Sequence, residues 1–511
     1  MPTLRLLLGD QLNSQHSWFS KVDEDTLYVM MEIRQETDYV AHHVQKILAF
    51  FSAMRNFAQE LQKKGHQVFY FRLNQADNSQ NIPENLIWLI EKYKITRFEY
   101  QNPDEYRLDE QIRDFCKTLS ISYQNYDTEH FLSERDTLSR FFGSKNYLLE
   151  SFYRMMRKKY NLLMQENGEP IANRWNFDAE NRQKYKYQVS IPKNITFEND
   201  ITELAQVLEN EKVQVIGHLP KNNLLNYPIS REQSLDLLRH FAEKLLPHFG
   251  TYEDAMHSQE PHLFHSRLSF ALNVKMLHPL EVLQTCITAW QNNPEKISVA
   301  QIEGFVRQIL GWREYMRGVY WAKMPEYSYK NFFGHTAKLP KWFWTGETKM
   351  NCAKYAIEQS LSEAYAHHIQ RLMITGNLAL LLGICPDEVD KWYLGIYIDA
   401  IEWVEITNTR GMSQYADGGL LASKPYTASA NYIDKMSNYC ENCFYDKKKR
   451  HGEKACPFNS LYWDFHIRHK EKLVKNPRIG MVYQNIAKMP QEELDAIKAQ
   501  AELYKANQDE L

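Results

Sequence analysis

Cys352, Cys440, Cys443 and Cys456 constrain the fold of this chain more than any other feature. The last three read CENCFYDKKKRHGEKACP, a close pair followed by a third cysteine and Pro457, while Cys352 stands far upstream. If the four thiolates share one centre, two distant segments must close on each other. Soft sulfur ligands in that number suit either a tetrahedral zinc or a 4Fe-4S cluster, and the close pair supplies one chelate loop. A Cys-Pro ending occurs in some ferredoxin runs, which favours the cluster without deciding the matter. The competing reading is unrelated buried thiols. Cys385, inside the apolar run LALLLGIC, is read in that simpler way.

The first part of the chain alternates short apolar runs with helix-periodic sequence. TLRLLLG, TLYVMMEI, QVFYFRL, RFEYQN and ISYQNYD read as strands, with helical pattern over segments such as Tyr39 to Lys63 and Pro83 to Tyr93. This predicts a parallel α/β sheet of Rossmann type, with ligands at the carboxyl ends of the strands. Asp10 follows the first strand there, and Arg34 to Tyr39 follows the second. No Gly-x-Gly-x-x-Gly follows either strand, which argues against a dinucleotide and leaves a polar heterocycle held by Asp10 and Glu36, or an empty structural domain.

From Ser133 to about Leu225 the sequence reads as a connector. Phe141 to Glu166 has helical periodicity, followed by a long, polar, pattern-poor stretch carrying Arg182 to Lys186 (RQKYK). Because its basic residues interleave with tyrosines, we expect a segment facing DNA, against a plain linker as the alternative. After Tyr227 the pattern is helical almost to the end. The expected division is therefore 1–132, 133–225 and 226–511.

A net charge of −3 gives no global attraction for nucleic acid, so such a partner must be held by local patches. Seven cysteines without a disulfide-like framework, an N-terminus whose apolar stretch is broken by Asp10, and no apolar run long enough to span a bilayer lead us to expect a cytoplasmic protein without membrane contact. A monomer is expected.

Three segments of the helical half resemble the photolyase and cryptochrome family. In HSRLSFALN, Ser266, Leu268 and Ser269 match a Ser-x-Leu-Ser run at a helix start, where hydroxyls and free amides hold flavin phosphates. RQILGWREYMRG matches at Leu310, Trp312, Arg313 and Glu314, with Ile309 in place of a usual glutamate. YIDAIEWVEITN keeps Asp399 and puts Glu405 where most relatives carry Asn beside the reactive flavin nitrogen. With the four cysteines and the opening LRLLLGDQLN, the chain resembles the iron-sulfur bacterial cryptochromes and photolyases, the prokaryotic (6-4) photolyases, over essentially its whole length.

That resemblance implies a Rossmann-like α/β antenna domain and a large all-α catalytic domain holding FAD. It also implies a 4Fe-4S cluster on Cys352, Cys440, Cys443 and Cys456, and an antenna, 6,7-dimethyl-8-ribityllumazine. The activity it implies is light-driven repair of (6-4) lesions in ultraviolet-damaged DNA. Ser266, Leu268, Ser269, Trp312, Arg313, Arg371, Asp399 and Glu405 would bind FAD. Asp10, Ile33, Glu36 and Tyr39 would bind the antenna, and Trp392, Tyr393 and Trp344 would relay electrons; without the resemblance, Trp392 reads as a core residue. We expect one helix over Glu363 to Leu382, which would put His367 and Arg371 four apart and His368 and Arg371 three apart on one face. His368 is assigned as the lesion's proton donor, with His367 orienting or packing beside it and Tyr426 and Tyr432 lining the pocket. Without the resemblance, the two histidines read as satisfied core residues. The rival functions are a blue-light photoreceptor of the cryptochrome type and a metal-stabilised nucleic-acid-binding module.

Overall fold

The structure is a computed structural model that describes residues 2–511. All five predicted strands form: β1 Thr3–Leu6, β2 Thr26–Met31, β3 Gln67–Phe71, β4 Arg97–Gln101 and β5 Ser122–Tyr126. They pair in parallel in the spatial order β3-β2-β1-β4-β5. The order reverses between β1 and β4. Such a switch leaves a crevice at the carboxyl edge, since the connections leave to opposite faces. Val29, Leu4 and Phe98 lie in the middle of three adjacent strands and are fully buried, as strands covered on both faces require.

The helical part packs against that carboxyl edge. Lys275 bridges Asp10 after β1 at 2.7 Å and Asp104 after β4 at 2.9 Å. Lys46, on helix Val44–Lys63, donates to the carbonyls of Leu394 and Ala400. Helix Pro386–Ile396 comes so close here that a Cβ at Gly395 would collide with the Ala41 carbonyl. A glycine is therefore required by contact rather than by conformation.

The stretch 133–225 is more than a linker. Its predicted helix over Phe141 to Glu166 is shorter and split into Thr137–Phe142 and Leu149–Tyr160. Phe152, Tyr153 and Met156 are fully buried against the helical part. Val215–Ile216 pairs with His42–His43, and Asn199–Asp200 with Leu224–Leu225. Sequence patterning missed these because two-residue strands carry no period.

The expected continuous helix over Glu363 to Leu382 is also interrupted. Helix Asn351–Glu363 ends at Ala364 with φ 52°, and helical structure resumes only at His368. His367 is the cap: its carbonyl accepts from Arg371 N, while its own N–H donates to the Gln370 side chain. That is the returning half of a capping box, in which the third residue's amide satisfies an orphan donor. The consequence is functional. The break lets two adjacent histidines leave the turn in different directions, one buried and one at the surface. Among the described residues, no helix is long and apolar enough to cross a membrane.

Candidate active site and its neighbouring centres

Arg371 sits at the centre of the candidate active site. Its guanidinium makes a fork to Asp399, with Nη1 to Oδ1 at 2.9 Å and Nη2 to Oδ2 at 3.3 Å. It also donates to the Ala366 carbonyl and lies 3.8 Å over the Tyr397 ring. Burial pushes the Asp399 carboxyl up, but the charge and hydrogen bonds of Arg371, with the Ser269 hydroxyl, hold it below the usual range. Glu405 is different. Burial raises it to about 8 despite Arg371, and Asp399 and Asp390 push the same way. One acid is thus kept charged and the other close to neutral at physiological pH.

Asn273, in the short helix Ser269–Asn273, donates to the Asp399 carbonyl, so the Ser-x-Leu-Ser segment abuts this group. Ser266 Oγ accepts from Leu268 N. Trp312 and Arg313 have other partners. Trp312 meets the Tyr315 ring, and Arg313 bonds His130 and the Leu272 carbonyl, stacked at 4.7 Å over Phe131 and 5.1 Å over Trp403. Arg313 therefore braces the rear of the Ser269–Asn273 helix. Burial holds Lys46 down at about 8, and Glu405 and Asp399 are its principal counter-charges. Nothing in the sequence pointed to Lys46.

His368 is half exposed, with Nε2 3.6 Å from Asp254 Oδ1. Arg182 of the connector lies 3.6 Å from the other Asp254 oxygen. Tyr426 and Tyr432 are half-buried, and both lie within the electrostatic reach of Asp254 and Arg182. The structure thus brings together His368, both predicted tyrosines and the connector's basic segment. His367 is buried and stacks on His265 with centroids 4.5 Å apart and planes 14° from parallel. His265, which begins the HSRLS motif, is not among the site residues the sequence predicts. A cavity of about 450 Å³ adjoins the histidine turn through Gln359, which accepts from Gln370.

The relay residues are partly assembled. Trp392 and Tyr393 are buried with ring centroids 5.3 Å apart, and the Tyr393 hydroxyl donates to the Arg371 carbonyl. Trp344 is at the surface. The ring that meets Trp392 from that turn is Phe343, at 5.0 Å, and Phe343 stacks on Trp342 at 4.5 Å.

Burial pushes the Cys352 thiol well above its ordinary value, and Cys456, Cys440 and Cys443 add like charge, which puts all four in one neighbourhood. Cys352 opens helix Asn351–Glu363, and Cys456 caps helix Pro457–Arg468. At the sheet edge, Asp10, Ile33, Glu36 and Tyr39 all line one cavity of about 140 Å³ with Phe50, Phe51, Met54 and Glu105. Its acids are already partnered: Asp10 by Lys275 and Glu36 by a bidentate Arg107, which also lies 4.4 Å over Tyr39.

Residues 5–224 match the family model of the deoxyribodipyrimidine photo-lyase-related proteins. The (6-4) photolyase of Agrobacterium fabrum is 42% identical over 509 residues, which is 99% of each chain. The chain belongs to the deoxyribodipyrimidine photolyase-related family. Two solved structures share the architecture at low identity. A bacterial class III photolyase from Agrobacterium tumefaciens has a TM-score of 0.59 at 14% identity, covering 96% of this chain and 98% of the other. The cryptochrome of Synechocystis sp. PCC6803 has a TM-score of 0.57 at 13% identity, covering 96% and 99%. The fold is thus the photolyase and cryptochrome one, a Rossmann-like α/β part joined to a large helical part.

For this photolyase-related chain the Arg371–Asp399 pair is also a structural liability. Arg371→Met would leave Asp399 buried without its countercharge, and breaking such a pair costs about 3–5 kcal/mol. We expect a lowered urea midpoint, with a smaller loss when Asp399→Asn is added. Equal losses in the single and double variants would show that the two side chains are not coupled.

Proposed function

We propose that this chain is a DNA repair enzyme that uses light and reduced FAD to reverse (6-4) pyrimidine-pyrimidone photoproducts. The observation that carries this reading is the juxtaposition at the 367–371 turn of a half-exposed His368 and, three residues on, a mostly buried Arg371 paired with Asp399. The donor at the surface and the ion pair within are held by one helix start, in a chain 42% identical to a (6-4) photolyase along its length.

The residues suit FAD. Arg371 and Asp399 present a charged edge of fixed geometry, and Glu405, near neutral, can donate a hydrogen bond as well as accept one. When bound, FAD supplies the electron. The chain does the rest: the buried walls around Arg371 exclude water, and Arg371 opposes negative charge arising beside it. The Asp254 carboxylate, 3.6 Å from Nε2, would orient the His368 ring. Tyr426 and Tyr432 would flank the extruded pair of linked pyrimidines, and Arg182 would meet the DNA backbone. The lesion requires a hydroxyl group to return between its two bases, so a proton donor is needed as well as an electron.

Four thiols in one neighbourhood suit an iron-sulfur cluster. Among the described residues, the one group of three or more His, Cys, Asp or Glu whose ligand atoms all lie within 4.8 Å of one another is a set of histidines. The thiols are therefore spread more widely than the roughly 3.8 Å that four 2.3 Å bonds to tetrahedral zinc would impose. The sheet-edge cavity suits a lumazine antenna because apolar walls with an acidic rim can stack on a flat heterocycle and bond its polar edge, and no Gly-x-Gly-x-x-Gly is there for a dinucleotide. Asp10→Asn should release the lumazine from purified protein while FAD is retained. Antenna content equal to wild type would leave Asp10 with only its bridge to Lys275.

Trp392→Phe is expected to slow photoreduction of oxidised FAD at least tenfold, since it removes the buried indole next to Tyr393. Repair by chemically reduced enzyme should persist. Unchanged photoreduction would assign the route to other rings. The function itself is tested by anaerobic illumination of reduced protein with oligonucleotides carrying a (6-4) product or a cyclobutane dimer. Restored thymines from the first alone are expected. Repair of neither, with intact photoreduction, would make the chain a photoreceptor.

A further inference from the structure

The proposed proton donor belongs to a cluster of three histidines, of which two give repair no proton. His265, His367 and His368 each bring a ring nitrogen within 4.8 Å of the other two. His265 and His367 are more than nine-tenths buried, and His265 Nε2 and His367 Nδ1 have no hydrogen-bond partner. Leaving a buried polar atom unpaired costs about 1–3 kcal/mol, so one such atom on each of two clustered histidines calls for an explanation. His368 is exposed and gives the cluster an entrance, with Asp254 carboxylate 3.6 Å beyond it.

We propose that His265, His367 and His368 form a site for a divalent transition metal of the Zn²⁺ class, and that metal held there withholds His368 from proton transfer. Three imidazoles with a carboxylate or water in the fourth position are a donor set that such ions favour over Mg²⁺ or Ca²⁺. The nitrogens must close to about 3.3 Å, the separation set by tetrahedral bonds of 2.0–2.1 Å. That movement is small. The His265 and His367 rings are stacked, so each must turn about its terminal torsion, which is broad for an imidazole. Metal at His368 takes up the lone pair on which its next proton would be carried. Repair would then be reversibly blocked by a rise in free zinc. The blocking rests on the role given to His368 above, whereas the metal site stands on the cluster alone.

The test uses the full chain with its flavin and iron in place. Equilibrium dialysis against Zn²⁺ should give one zinc per chain beyond the iron, bound at least about tenfold more weakly by His265→Ala and by the size-conserving His265→Gln. Zinc X-ray absorption should show nitrogen neighbours at 2.0–2.1 Å, and a sulfur shell near 2.3 Å would overturn the site by assigning the metal to thiolates. No bound zinc, or equal binding by both His265 variants, would also overturn it. In the repair assay, Zn²⁺ should suppress wild-type turnover, a chelator should restore it, and His265→Gln should be less sensitive. Undiminished repair by zinc-loaded enzyme would overturn the block. Loss of repair in metal-free His368→Ala tests the donor role separately.

Discussion

His368→Ala should bind damaged DNA within several-fold of wild type, keep its flavin and iron, and lose light-driven (6-4) repair. A positioned general acid contributes about 10²–10⁴ in rate, so the expected loss is of at least the lower order. The substitution is a clean one. His368 is half exposed and contributes little to the core, whereas the neighbouring His367 is buried under the His265 ring. His367→Ala would confound catalysis with packing, since it removes a stacked ring and opens a void. The measurement is thymine recovery from (6-4) oligonucleotides under illumination of fully reduced protein. Normal recovery would transfer the donor role to a tyrosine of the same pocket, with Tyr432 and Tyr426 the next to test.

Cys443→Ser should lose the iron and, with it, most of the soluble protein. Metal or cluster binding is folding energy wherever the unfolded chain has no formed site, and the proposed cluster would join Cys352 to the remote Cys440–Cys456 segment. Cys443 is the informative position because its thiol is only half-buried, so exchanging sulfur for oxygen changes packing little. A large effect there would come from the lost ligand. Wild-type protein should carry four irons per chain. One zinc per chain and no iron would replace the cluster by a tetrahedral ion. Cys116 and Cys286 offer the control, since both are buried and separate from the four, and Ala there should leave iron content unchanged.

The α/β sheet was legible in the sequence because its strands read as short apolar or alternating runs between helix-periodic segments; TLYVMM, buried on both faces, had to be a nearly continuous apolar run. Topology pointed to the carboxyl ends of β1 and β2, with an empty domain as the alternative; Asp10, Ile33, Glu36 and Tyr39, named through the family resemblance, all line one cavity there. Arg371 and Asp399 were both named through the family resemblance, and the structure pairs them. What only the tertiary structure decided involves contacts between segments with no shared pattern. The π-turned, interrupted path from Ala364 to Gly376 depends on a cap by Gln370 and contacts to Gln359 and Tyr439, so helical periodicity read through it. Lys46 sits under Glu405, and Lys275 between Asp10 and Asp104, because the two halves of the molecule close on each other; a lone lysine in an amphipathic helix carries no mark of that. Periodicity reports which face of an element is buried, and only the packing reports against whom.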